Sequence, residues 1–379
     1  MDRPTTLRSE TLLGELTPSW KSRLRRRVLA WYAQHARDLP WRRRPTPYRV
    51  WVSEIMLQQT QVATLQAYFP RFLAAFPTLR DLAAAEEEQV LRLWEGLGYY
   101  RRARQLHAAA RQIVDQEGGQ FPTDVRGLRE LPGIGRYTAG AIGSLALGLR
   151  EPILEANTIR LLSRLVGYRQ DPGKGAGARL LWQTAADILP RKHVDSFNQG
   201  LMEIGALVCT PANPHCAACP VSTLCAAHIH GLQDQIPCSK PKRTWTRLLE
   251  AAVLVRKRGN VLLRQCADGQ RWAGLWDFPR FEIRRWRAPR LQRELTEQVL
   301  AQTGIRIDPG RRIETIRHGV TRYRITLDCY EARYLGGRLR PTPARSVRWV
   351  SAAELSDLPL STSGRKLAGL VSVSRSLDC

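Results

Sequence analysis

Apolar residues recur at three- and four-residue intervals through roughly the first 225 positions, and Gly and Pro cut the runs into separate helices. The segments are RLRRRVLAWYAQHA, VWVSEIMLQQTQVATLQAYFPRFLAAF, LRDLAAAEEEQVLRLWEGL, RRARQLHAAARQIVDQE, GRYTAGAIGSLAL, TIRLLSRLVG, RLLWQTAADIL and FNQGLMEIGALVC. None alternates as a strand would. The period changes after IPCSKPKRTWTR, a basic stretch containing proline. Beyond it LEAAVLVRKRGNVLLRQC, YRITLDCYEARYL and VRWVSAAEL read as strands around one helical pattern, APRLQRELTEQVLAQTG. The pattern predicts an all-α core over residues 20–230, a linker over 231–247, and an α+β domain over 248–379.

Charge adds a partner to this outline. Lys and Arg number 59 against 34 Asp and Glu, a formal net charge of +25, which suits a polyanion such as nucleic acid. Only seven of the cations are Lys, and the Arg fork matches phosphate oxygens and base edges. MDRPTTLRSE has no apolar signal core, and no run of about 18 apolar residues is present to span a bilayer. A soluble, cytoplasmic protein, monomeric and associated with the nucleoid when on DNA, is expected.

Four of the eight Cys fall within CTPANPHCAACPVSTLC. Cys209, Cys216, Cys219 and Cys225, with six, two and five residues between them, can hold tetrahedral zinc or an iron-sulfur cube. Structural zinc usually shows two separated CxxC knuckles, whereas one CxxC sits here between two longer arms. That spacing resembles the 4Fe-4S loop of the endonuclease III and adenine glycosylase branch of the helix-hairpin-helix DNA glycosylases.

Two further segments carry candidate chemistry. In LPGIGRYTAG, Gly133 and Gly135 let backbone amides approach a phosphate ahead of a helix N-terminus, although such a turn can also be a simple connector. In SEIMLQQTQV one carboxylate, Glu54, lies among Trp51, Val52, Ile55, Met56 and Leu57. Desolvation there raises its pKa and suits it to general-acid work, unless one of the many Arg pairs with it.

DLPWR (38–42), PYRVWVSEIMLQQTQV (47–62), GLGYYRRARQLH (96–107), the hairpin, FNQGLMEIGALVC (197–209) and the cysteine loop together resemble the adenine DNA glycosylases (MutY type), in that family's order. The resemblance implies that Glu54 protonates adenine N7 and later activates water. It implies that Arg37, Leu39, Trp41 and Arg42 line an adenine pocket, and that Gln59, Leu97 and Tyr99, with Thr60 beside them, meet the DNA at the base stack. Core packing is the plainer reading of Leu39, Trp41 and Leu97. Bifunctional relatives carry a Lys where Tyr137 stands, and no Lys occurs between Lys21 and Lys174, so hydrolysis without strand cleavage is expected.

The family's Asp, in an ILDGNV-like segment, is replaced by Glu155 in ILEANT, with Ala156 for Gly and Asn157 retained. One extra methylene can misplace a carboxylate that must stabilise an oxocarbenium-like sugar. Activity retained, activity slowed, and DNA binding without catalysis all remain open. RWAGLWDFPRFE (271–282) resembles the family's Nudix-like domain, with Gln298, Ala301 and Gln302 where metal-binding acids would stand. HGVTR, His318 to Arg322, matches the family's loop for 8-oxoguanine, keeping His318 and the Thr321 hydroxyl, or else is a basic β-hairpin on phosphates. The expected function is a monofunctional adenine glycosylase acting on adenine opposite guanine or 8-oxoguanine, with a 4Fe-4S cluster and double-stranded DNA as partner. The alternatives are a mismatch thymine or uracil glycosylase and a damage-binding protein of weakened activity.

Overall fold

The structure, a computed structural model, describes residues 11–12, 15–173, 175–238, 244–284, 288–341 and 346–373. Residues 239–243 of the expected linker lie outside these. The chain divides into two compact units, residues 1–80 with 108–241 and residues 81–107 with 242–379.

Among the described residues twelve α-helices come first: α1 (Pro18–His35), α2 (Pro47–Leu57), α3 (Val62–Ala75), α4 (Leu79–Ala84), α5 (Glu87–Leu93), α6 (Arg101–Gln116), α7 (Val125–Glu130), α8 (Arg136–Ala146), α9 (Ala156–Val166), α10 (Gly175–Ile188), α11 (Val194–Leu207) and α12 (Ala226–Ile229). In the first unit, Trp20, Leu24 and Val28 of α1 pack with Leu161 and Leu165 of α9 and with Phe197, Leu201 and Ile204 of α11. Burying such side chains contributes roughly 1.5–3 kcal/mol each and fixes how these helices lie. Among the described residues no helix is long and apolar enough to cross a membrane.

The second unit holds β1 (Thr246–Lys257), β2 (Asn260–Gln265), β3 (Trp276–Asp277), β4 (Arg280–Glu282), α13 (Ala288–Thr303), β5 (Ile305–Val320), β6 (Tyr323–Gly337), β7 (Val347–Ser351) and α14 (Thr362–Val373). Its mixed sheet runs β3-β2-β1-β6-β5, with β4 on β1, β7 on β2, and β1 parallel to β6. The apolar run AAVLV in β1 is explained by burial on both faces. Ala252 and Leu254 face Leu367, Ala368 and Val371 of α14, whereas Ala251, Val253 and Val255 face Leu295 and Val299 of α13. A mixed, doubly covered sheet thus replaces simple alternation. Neither the full length of β5 nor α14 was evident from pattern. Pro309 and Gly310 interrupt β5, and its pairing with β6 absorbs them through register shifts between Pro309 and Glu314.

Candidate active site

A pocket of about 680 Å³ opens in the first unit, walled by the end of α2, the start of α9, the face of α11 and the DLPWR segment. The local sequence sets each wall. Thr46 caps α2 by accepting the Arg49 amide, Pro47 takes the first turn where no amide partner is needed, and the helix ends at Leu57. Gln59 then adopts a left-handed conformation (φ 60°), turning the chain at the pocket rim, where it is exposed with Thr60 beside it.

Glu54 points into this pocket while only 4% exposed. Burial raises its pKa to about 7; a hydrogen bond from Tyr137 and the charge of Arg42 oppose the rise, and the charge of Glu155 assists it. Tyr137, in the first turn of α8, donates its hydroxyl to Glu54 Oε2. Burial and the neighbouring Glu54 hold the phenol well above its ordinary range, so it stays a donor.

Glu155 is the N-cap of α9. Its Oε2 accepts the Asn157 amide at 2.8 Å and its Oε1 the Thr158 amide at 3.0 Å, while the Thr158 hydroxyl accepts the Glu155 amide at 2.7 Å. The extra methylene relative to Asp is therefore taken up by a two-point anchor on a helix N-terminus. Burial raises the Glu155 pKa, and the two amide bonds work against that rise.

Asn157 also lines the pocket, and its Oδ1 accepts Arg160 Nη2 at 2.8 Å. The same guanidinium donates to Gly205 O and Cys209 O, both at 2.6 Å, tying the pocket wall to the first cysteine of the loop. Close approach of α11 makes this possible, since a Cβ on Gly205 would lie 2.8 Å from Asn157 Cβ.

Arg37, Leu39, Trp41 and Arg42 all reach the pocket. Sequence reasoning missed their partner, Glu203 of α11. Its buried carboxylate receives two bonds from Arg37, both 2.8 Å, and one from Arg42 at 2.7 Å. These bonds outweigh burial and lower its pKa. A lone acid within an apolar helical stretch, FNQGLMEIGALVC, was the available signal.

The hairpin lies between α7 and α8. Gly133 is left-handed (φ 77°), whereas Gly135, the N-cap of α8, has an extended backbone, and a Cβ there would meet nothing within 4 Å. The fold itself places no atom that requires glycine at 135.

All four loop thiols line one small cavity together with Leu161, Arg164 and Val208. Cys209, Cys216, Cys219 and Cys225 are free of disulfides, and Arg164 Nη1 stands 3.2 Å from Cys209 Sγ. Among the described residues no three His, Cys, Asp or Glu converge as they would on a single ion. Four thiols lining one cavity are a donor set that a four-iron cube or a tetrahedral zinc ion accepts.

Four expected DNA-contacting residues fall in the second unit with different outcomes. Tyr99 is left-handed (φ 48°) and 43% exposed, but Leu97 is 6% exposed, so its side chain packs inward and is not a projecting wedge. HGVTR forms the β5–β6 hairpin tip, with Val320 paired to Tyr323 and Thr321 exposed at φ 52°. His318 turns inward: Nε2 lies 3.3 Å from Arg280 Nη2. The alternation of β5 puts 318 on the face shared by Ile316 and Val320.

Residues 52–186 match the HhH-GPD superfamily of base excision DNA repair proteins, and residues 250–369 match the NUDIX domain. The adenine DNA glycosylase of Homo sapiens is 33% identical over 397 residues, covering 90% of this chain and 72% of that protein. The adenine DNA glycosylase of Buchnera aphidicola subsp. Acyrthosiphon pisum is 38% identical over 256 residues, covering 67% and 73%. A solved structure of a thermostable thymine-DNA glycosylase matches with a TM-score of 0.53 at 27% identity, covering 57% of this chain and 100% of that one.

Proposed function

The chain belongs to the adenine DNA glycosylase family, and from that premise we propose that its pocket receives an adenine extruded from a duplex and opposed by guanine or 8-oxoguanine. The observation that carries the reading is the pairing of Glu54, buried with a pKa of about 7, with Glu155 across the same pocket. One group is poised to give a proton near neutrality; the other, anchored on backbone amides, carries charge toward the sugar.

Protonated Glu54 donates to adenine N7 as the glycosidic bond lengthens. Positive charge then develops on the sugar, and Glu155 and the carboxylate left at Glu54 stabilise it. Tyr137 holds Glu54 in place, Asn157 shapes the sugar side, and Glu54 then draws a proton from the attacking water. Arg37, Arg42 and Glu203 supply fixed donors and acceptors at the pocket wall, while Leu39 and Trp41 supply its apolar sides. With Tyr137 at the position of the lyase amine, hydrolysis is the chemistry available.

Cys209, Cys216, Cys219 and Cys225 hold a 4Fe-4S cluster in this reading, supported by the donor set and the shared cavity. Bound there, the cluster would stiffen the loop, since protein thiolates occupy every iron. Gly133 and Gly135 offer amides to a backbone phosphate, Gln59 and Tyr99 enter the stack, and Thr321 at the hairpin tip faces the opposite base. Residues 248–379 act as a recognition domain, and the protein works as a cytoplasmic monomer on nucleoid DNA.

Single-turnover base release from duplexes bearing A opposite 8-oxoguanine, A opposite G, and T opposite G tests the reading. Release of A, faster opposite 8-oxoguanine, is expected. Release of T alone would replace it with a thymine glycosylase, and tight binding without release with a damage-binding protein.

A further inference from the structure

The loop Gly96–Tyr100 between α5 and α6 carries three residues at positive φ. Gly96 (φ 97°), Gly98 (φ 68°) and Tyr99 (φ 48°) are all left-handed, a conformation that glycine adopts freely and that is costly for Tyr99. Such a conformation persists only where its surroundings over-determine it. Part of the restraint is local: Arg102 Nη2 donates to Leu97 O and Gly98 O, both at 3.3 Å, and Trp94 Nε1 to Gly98 O at 3.1 Å.

The rest comes from far along the chain. Arg365, in α14, donates Nε to Glu95 Oε1 at 2.7 Å and Nη2 to Glu95 Oε2 at 2.8 Å. The same guanidinium donates to Leu355 O and Leu358 O, each at 2.6 Å. Glu95 immediately precedes the loop. On its other side Tyr100, 7% exposed, donates its hydroxyl to Leu360 O at 3.4 Å. Arg365 and Leu360 therefore hold both ends of a loop in which Tyr99 is left-handed and exposed.

We propose that Arg365 is a positioning residue for Tyr99, through which the C-terminal domain sets how the wedge enters the base stack. The proposal rests on the reading that Tyr99 contacts DNA. Without Arg365, Glu95 loses a two-point partner, the carbonyls at 355 and 358 lose their donor, and the loop can relax toward ordinary backbone. Tyr99 then samples other directions, and base extrusion slows although the pocket chemistry is intact.

The test uses the full-length protein and a duplex with 2-aminopurine at the target position, whose fluorescence rises on unstacking. Arg365→Ala is expected to slow the rise on the order of 10- to 100-fold, the scale of small misplacements remote from chemistry. Glu95→Gln, which keeps the side-chain shape, is expected to reproduce part of that loss with an unchanged melting temperature. Within a Tyr99→Ala background, adding Arg365→Ala should change extrusion less than about twofold, because the two act as one unit. Independent, multiplying effects would overturn the proposal, as would unaltered extrusion in Arg365→Ala. Full extrusion by Tyr99→Ala alone would remove the underlying reading of Tyr99 and the proposal with it.

Discussion

Tyr137 donates its phenolic hydrogen to Glu54 Oε2, joining the helix that follows the hairpin to the helix that carries the buried acid. The bond favours the carboxylate form and so opposes burial, which is the larger effect, and the balance leaves Glu54 near 7. A position whose importance in the sequence was the absence of lysine is thus a working part of the acid.

Removing that hydroxyl should raise the Glu54 pKa further. A hydrogen bond to a charged group contributes roughly 1.5–3 kcal/mol and 1.36 kcal/mol is one pH unit, so a rise of about one to two pH units is expected. In Tyr137→Phe the alkaline fall in single-turnover base release should move upward from near pH 7. A limb that stays in place would mean the bond does not tune the acid.

Glu54 should also leave its mark on stability. Its folded pKa lies above the ordinary 4.5, so the folded state binds more protons between about 4.5 and 7. The stability tied to the protonated form is full below about 4.5 and is lost as pH rises through 7, a loss on the order of a few kcal/mol. Glu54→Gln should therefore melt higher than the native protein at pH 8 and converge with it near pH 4.5. Base release in that variant should fall by roughly 10²–10⁴. Equal melting at both pH values would show that the carboxyl is not protonated in the fold.

Glu155→Asp asks whether the extra methylene matters. Both carboxylate oxygens sit on the amides of Asn157 and Thr158, and Asp is itself a preferred N-cap able to reach the same donors. Location is set by the helix end in either case, so base release should stay within about tenfold. Glu155→Ala should lose the cap, about 1 kcal/mol, together with the pocket charge. A fall beyond a hundredfold in Glu155→Asp would mean that the pocket is fitted to the longer side chain.

Arg160 predicts coupled losses. Its guanidinium serves Asn157 Oδ1, Gly205 O and Cys209 O, and an orphaned buried carbonyl costs roughly 1–3 kcal/mol. Arg160→Gln should lower iron content per chain and base release together, measured on the same preparation. Native iron content with native release would refute the link.

Most helices, the cysteine loop and the Glu54 helix were legible because each is written in local periodicity or spacing. What escaped was long-range. Glu203 meets Arg37 and Arg42 only through folding, across more than 160 positions, and Arg160 draws its meaning from carbonyls on α11 and beyond. Leu97 and His318 matched family blocks, yet their side chains face inward, a matter of backbone direction that a motif does not record. In β5, Pro309 and Gly310 are absorbed by register shifts against β6, which local pattern does not record.

Gly135 offers a way to separate fold from DNA contact. Its backbone is extended at φ −88° and ψ −179°, which any residue can adopt, and an added Cβ meets nothing within 4 Å. Gly135→Val should therefore cost no more than the roughly 1 kcal/mol of a poorer N-cap. Gly205→Ala, whose Cβ would lie 2.8 Å from Asn157 Cβ and 2.9 Å from Asn157 O, should melt lower and release base more slowly. If glycine is present at 135 for a phosphate outside the chain, Gly135→Val should weaken binding to matched and mismatched duplexes alike, by about tenfold, and flatten the salt dependence. Loss confined to mismatched duplexes would place the contact at a base and not at the backbone, and unchanged binding would leave the hairpin a connector.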